Sequence, residues 1–196
     1  MLPVQQAPPA SVRRFTVEEY RRLGEAGILT ESDRVELLEG WIVEKVIHNP
    51  QHDLAIELLD EALRKLLPPD CRVRVQCAVT TQDSEPEPDA AVVYGQPRER
   101  PARHPGPRDV ALLVEVADSS LEHDRTFKGR LYARAAISTY WIVNLVDRQV
   151  EVYTEPSGRG AAAVYKNSRI YRRGEAVPLV IRSQALGAIA VDEILP

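Results

Sequence analysis

The chain predicts an α/β (α+β) domain, a mixed central β-sheet flanked by helices with extra β-hairpins. Two observations carry this. Helical stretches at 17–26, 49–67 and 121–136 alternate with apolar, β-branched runs such as VALLVEVA (110–117) and TYWIV (139–143). Paired runs joined by turn residues, RVELLEGWIVEKVI above all, mark antiparallel hairpins.

In order along the chain, Thr16 and Glu19 form a capping box, with Phe15 and Tyr20 at the positions of a hydrophobic staple. This places a helix from Val17 to about Ala26, which Gly24 weakens and Gly27 ends. Two strands follow around a Glu39-Gly40 turn. In NPQHDLAIELLDEALRKLL, Asn49 caps and Pro50 takes the first helical position. Ala55, Leu59, Ala62, Leu63 and Leu66 form its apolar stripe, and His52 falls on that stripe. CRVRVQCAVTT and PDAAVVYG read as strands on either side of a turn-rich segment, with Asp89 at the mouth of the second. A proline- and arginine-rich loop at 98–108 leads into VALLVEVA, and a helix from 121 to about 136 follows. STYWIVNLVDRQVEVYTE is a hairpin around Asp147 and Arg148, and a β-rich tail closes the chain.

The 196 residues are 44% hydrophobic and 28% charged, which suits one well-buried core. Residues 1–13 carry no apolar period and are expected as a flexible N-terminal arm, leaving 14–196 as a single domain. A net charge of −4 argues against a protein that coats nucleic acid by bulk charge, so a polyanion must be met by a local patch. Cys71 and Cys77, six apart, would share a strand face and are expected as reduced core residues. No apolar run approaches the roughly 18 residues of a membrane helix, and the start has no apolar stretch after a basic one. A cytoplasmic protein with no membrane association is expected.

The chemistry concentrates in LLVEVADSSLEHDRTFKGRLYARAAISTYWIV, where Glu115 interrupts a buried strand. On the following helix, taking 100° per residue and Asp124 as zero, Leu131, Ala135, Lys128 and Leu121 all fall within about 60° of Asp124. Asp124 and Lys128 therefore point inward with the leucines. An i, i+4 ion pair at the edge of the stripe would account for these two residues alone. Glu115 on the preceding strand and Asp89 before it extend the pattern to carboxylate, carboxylate, lysine, the order used in metal-dependent phosphodiester cleavage. Hard Mg²⁺, or Mn²⁺ in its place, takes oxygen ligands from carboxylates while keeping waters and phosphate oxygens. A lysine beside it can orient or deprotonate the attacking water and offset charge on phosphorus.

These motifs resemble the PD-(D/E)XK nuclease superfamily, and within it the Uma family of restriction-endonuclease-like proteins. The likeness is carried by RVELLEG with Glu36, HNPQH with His52, PDAAVV with Asp89, LLVEVADSS with Glu115, and DRTFKGRLYARAAISTYWIV with Asp124, Lys128 and Tyr132. It spans residues 15 to about 155 and implies a restriction-endonuclease-like core. It also implies a metal held by Glu36, Asp89 and Glu115, with the Val116 carbonyl as a further ligand and Lys128 as the catalytic lysine. His52, Asp124 and Tyr132 would support them. The superfamily lysine stands two residues after the glutamate, where this chain has Ala117, and the resemblance implies that its place is taken by Lys128 on the next helix. Asp118 and Ser119 replace a usual Ser and Pro, Ala136 a usual Gly, and Asn144 a usual Asp.

The expected activity is a Mg²⁺-dependent endonuclease acting on DNA. The alternatives are an inactive nuclease-like fold serving as a protein-interaction or nucleic-acid-binding module, and a hydrolase of small phosphoesters. A homodimer through the strand at 138–146 is expected. His48, His104 and His123 stand at unrelated spacings, which argues against a histidine metal site. Trp41, Tyr132, Tyr140 and Trp141 are expected as core or interface aromatics rather than base-stacking platforms.

Overall fold

The structure is a computed structural model and describes residues 12–95 and 103–196. Most of the expected N-terminal arm and half of the arginine-rich loop lie outside the described residues. Helix α1 (Val17–Glu25) starts at the Thr16/Glu19 capping box, both halves of which are formed. Strands β1 (Val35–Leu38) and β2 (Trp41–Glu44) make an antiparallel hairpin. Its turn residues Glu39 and Gly40 both have positive φ, 49° and 79°, as a tight hairpin turn requires. Only glycine fits at 40, because a Cβ there would stand 2.5 Å from Arg14 Cβ and 2.9 Å from the Phe15 carbonyl.

Helix α2 (Pro50–Leu66) follows, with the Asn49 side chain accepting from the His52 N–H. Strands β3 (Cys71–Val75), β4 (Ala90–Tyr94) and β5 (Val110–Ala117) form consecutive antiparallel pairs. A helical crossover then leads to β6 (Thr139–Asn144), which pairs parallel with β5. Strands β7 (Gln149–Ser157) and β8 (Val164–Arg172) complete a six-stranded mixed sheet in the order β3-β4-β5-β6-β7-β8. Strands β9 (Ala176–Ile181) and β10 (Gln184–Ala190) form a separate hairpin.

At its centre the sheet is buried on both faces, as the eight buried residues of β5 require, while β8 at the edge is largely exposed. On one face Ala55, Leu59 and Leu63 of α2 pack with Val114 and Val116 of β5 and Val177 and Leu179 of β9. Leu59 and Leu63 are fully buried, so truncating either to alanine costs about 2–5 kcal/mol. On the other face Leu131 and Tyr132 of the crossover pack with Leu113, Tyr140 and Ile142.

The crossover departs from the expected uninterrupted helix. It comprises α3 (Leu121–His123), a π-helical turn over Asp124–Lys128, and α4 (Gly129–Arg134). The Gly129 N–H reaches back to the Asp124 carbonyl, which also accepts the Tyr140 hydroxyl from β6 at 3.1 Å. After α4, Ala136 adopts φ 59°, a conformation that favours glycine.

Three expectations need correction. Gln76, with φ 47°, ends β3, so Cys71 is buried while Cys77 lies beyond the strand and half-buried; both are free thiols. Strand β6 lies between β5 and β7 with both edges paired, and Tyr140 and Trp141 are fully buried, so it cannot pair across a two-fold axis. Of the core and interface readings of Trp41 the core one falls, because it is 41% exposed beneath the Arg14 guanidinium.

Candidate functional site

A cleft of about 700 Å³ opens where the N-terminus of α2, the ends of β4 and β5, the β1-β2 hairpin and the π turn meet. Glu36, His52, Asp89, Glu115, Asp124 and Lys128 line it. Alternation along β5 explains why Glu115 points there. Leu113 and Ala117 belong to the core beneath α4, and the residue between them faces the same way. Glu36 arrives because β1 is docked on the segment before β4. The Glu85 N–H donates to the Leu37 carbonyl at 2.7 Å, and the Glu87 N–H donates to Glu36 Oε2 at 3.0 Å. Asp89 stands at the end of β4 and accepts the Val116 N–H of β5 at 2.8 Å.

Lys128 links these groups. Its ammonium is 3.0 Å from Glu115 Oε1, 3.8 Å from Asp124 Oδ1 and 3.9 Å from Glu36 Oε1, and its side chain is only 11% exposed. Tyr132, one helical turn on, donates to Glu115 Oε1 at 2.6 Å, and Ser120 donates to Asp124 Oδ2 at 2.6 Å. Every residue that the sequence nominated for the site is therefore in or against one cleft.

The charge balance is uneven. Burial pushes the Glu115 carboxyl well above the carboxylate range; Lys128 opposes this, while Asp124 and Asp89 add to it. Burial also raises Asp124, against Lys128 and Ser120. For Lys128 burial acts downward but Glu115, Glu36 and Asp124 outweigh it, so the amine stays an ammonium. Burial would raise Asp89 too, yet contact with His52 and the Val116 N–H holds it below its ordinary value. Three carboxylates converge with Asp89 around one lysine, and the excess negative charge in a low-dielectric setting fits a divalent cation. Glu36, Asp89 and Glu115 offer oxygen donors from three separate strands or strand ends, the donor chemistry that Mg²⁺ and Mn²⁺ prefer.

His52 is 7% exposed, and its Nε2 lies 3.3 Å from Asp89 Oδ2. Burial lowers its affinity for a proton, but Asp89 outweighs that and raises it. The spacing argument against histidines fails at His48. It stacks on His52 with ring centroids 3.9 Å apart, and burial followed by the His52 charge lowers its proton affinity. His48, His52 and Asp89 each bring one potential ligand atom within 4.8 Å of the others. The HxxxH spacing across a helix cap was the available signal, since Asn49 and Pro50 start α2 between the two histidines.

Sequence reading also missed what fixes the hairpin over the site. Buried Glu39 in the β1-β2 turn meets Arg130 at 3.0 Å and Arg134 at 3.4 Å, and Arg134 also meets Asp83 at 2.6 Å. Arg21 of α1 grips Glu85 at 2.8 Å. His104 and His123 do not join the histidine pair: His104 lies 3.5 Å from Glu85, and His123 stacks on Phe127.

A crystal structure described as "a putative nuclease belonging to DUF820", from Anabaena variabilis, superposes with a TM-score of 0.69 over 92% of this chain and 97% of that one. At 14% identity this likeness shows a shared fold. No curated protein matches. A sequence profile of the Uma2 family, described as "Putative restriction endonuclease", matches residues 17–186, a span that holds every cleft residue named above, and the chain belongs to that family.

Proposed function

We propose that the protein is a Mg²⁺-dependent endonuclease hydrolysing DNA phosphodiester bonds, with Mn²⁺ able to replace Mg²⁺. The observation that carries this reading is the convergence of Glu36 and Glu115 on the buried Lys128, with Asp89 lining the same open cleft. Family membership and the shared fold support it. Asp89, Glu115 and Glu36 would hold the ion. The chemistry supplied there by a bound divalent cation would be Lewis-acid polarisation of a phosphoryl oxygen and a lowered pKa for water.

The chain's own groups do the rest. Lys128 donates toward the attacking water and offsets negative charge developing on the phosphate. Tyr132 keeps one Glu115 oxygen occupied and so sets the carboxylate's orientation, while Asp124 holds the Lys128 ammonium from the preceding turn. The Val116 N–H and His52 orient Asp89 in the same way. Exposed Arg34 at the rim offers a phosphate contact, the local patch that a chain of net charge −4 needs. A dimer that brings two clefts to two strands must use a surface other than β6.

The test is nicking of supercoiled plasmid in Mg²⁺ or Mn²⁺ by wild type and Lys128→Ala, with a model phosphodiester alongside. Nicking that the substitution abolishes supports the reading. Hydrolysis of the model diester alone points to small phosphoesters. DNA binding without turnover in either metal points to the binding module.

A further inference from the structure

Beside the carboxylate cluster, the imidazole pair has no role in the chemistry above beyond orienting Asp89. His52 is more than nine-tenths buried, and its Nδ1 has no hydrogen-bond partner among the described residues. The nitrogen that can share an ion with Asp89 is the other one, Nε2, which lies 3.3 Å from Asp89 Oδ2. The two rings stack at 3.9 Å with an interplanar angle of 26°. His48 is held from outside by Gln76 Nε2 at 3.1 Å from its Nδ1. Asp53 Oδ1 lies 3.6 Å from His48 Nδ1 and 3.9 Å from His52 Nδ1 at the rim.

We propose that His48, His52 and Asp89 form a second cation subsite selective for a transition metal over Mg²⁺. It deepens the metal reading of the cleft, on which it rests through the shared Asp89. Two imidazole nitrogens and one carboxylate oxygen form a mixed donor set that suits Mn²⁺, Co²⁺ or Zn²⁺ and not the all-oxygen demand of Mg²⁺. The ligand atoms lie within 4.8 Å of one another, and bonds of about 2.1 Å to a tetrahedral ion would space them at roughly 3.4 Å. The difference is small enough for His48 to close by a side-chain adjustment, because it precedes α2 and is only half-buried. Asp89 stands between this subsite and the Lys128 cluster, so an ion here would abut the carboxylate position rather than form a remote structural site.

The experiment uses the full chain, Mn²⁺ as probe, calorimetry for affinity and pulsed electron paramagnetic resonance for nitrogen bonded to the ion. Wild type, His48→Ala and Glu115→Gln are compared, each checked for folding by circular dichroism. The expected result is a nitrogen-coupled Mn²⁺ in wild type that a tenfold excess of Mg²⁺ fails to displace. His48→Ala should weaken it at least tenfold and reduce the nitrogen coupling, and Glu115→Gln should retain it. Mn²⁺ bound without nitrogen coupling, nitrogen coupling unchanged in His48→Ala, or no Mn²⁺ bound at all overturns the proposal. Oxygen-only binding together with plasmid nicking would sink the subsite and leave the nuclease reading standing. Nitrogen-coupled binding without any hydrolysis would do the reverse.

Discussion

Glu115 and Glu151 are both glutamates in the central sheet, both only 3% exposed, and both on the face covered by the helical crossover, yet the protein treats them in opposite ways. Glu151 is saturated with donors. Arg125 Nε reaches Oε2 at 3.0 Å, the Asn144 amide reaches Oε1 at 2.7 Å, and the Tyr153 hydroxyl reaches Oε2 at 2.7 Å. Burial acts upward on its carboxyl, but Arg125 and the hydroxyl and amide donors outweigh it and pull it down to about 2. Glu115 has one tyrosine and one lysine and shares that lysine with Asp124 and Glu36, so its carboxyl is pushed up. A carboxylate completed by the protein holds the π turn to β7; one left short of positive charge faces the cleft. The comparison separates a structural buried charge from one with capacity left for a ligand.

Lys128→Ala is the largest expected effect. Cleavage should fall about a thousandfold, as when one positioned donor to developing charge is lost, with the circular dichroism spectrum unchanged. Equal cleavage rates would place Lys128 in the structural class with Arg125.

Glu151→Ala should next cost about 3 kcal/mol of stability in urea unfolding, because it strands Arg125, Asn144 and Tyr153 beside a vacated buried position. A loss below about 1 kcal/mol would show that the network is worth no more than a surface pair.

The same carboxylate predicts an acid limb. Its folded value is about 2 against an ordinary 4.5, so its contribution is complete above pH 4.5 and is lost as pH falls through about 2. On the order of 2 kcal/mol is at stake after allowance for solvent screening. Unfolding midpoints of wild type and Glu151→Gln measured across that window should converge at its acid end; parallel curves would contradict the assignment.

Glu115→Gln should move stability least, within about 1 kcal/mol, because the amide oxygen still accepts from Tyr132 and Lys128 while one of the crowded negative charges is removed. Mn²⁺ affinity at the carboxylate position should nevertheless drop at least tenfold by calorimetry. A large destabilisation with intact metal affinity would invert the comparison.

Much of this was legible beforehand, for local reasons. The Thr16/Glu19 box, the Asn49 cap and the Glu39-Gly40 turn are set by neighbouring residues, and all three formed as expected. The inward angle of Asp124 and Lys128 survived even though the helix opens into a π turn between them, because four residues still bring a side chain back to the same side. The π turn itself was hidden, since Tyr140, 16 residues later, secures the Asp124 carbonyl. Two departures from the family pattern, Asn144 and Asp118, also acquired reasons only in three dimensions. Asn144 donates an amide hydrogen to Glu151, which an aspartate could not do, and Asp118 accepts from the Asn49 amide at 2.7 Å. Ala136 occupies a left-handed position where glycine is usual.

The sequence by itself determined the elements, their caps and the inward face of Lys128, because periodicity, capping and turn chemistry act over a few residues. It also nominated the carboxylates, through the cost of placing Glu115 in an apolar strand. Only the tertiary structure decided which charges meet. His48 joins Asp89 across 41 positions, Glu39 meets Arg130 across 91, and Arg125 reaches the buried Glu151 as well as the half-exposed Asp147. Electrostatic contacts depend on distance in space and on the water excluded around them, and both exist only once the sheet is paired and its two faces are covered.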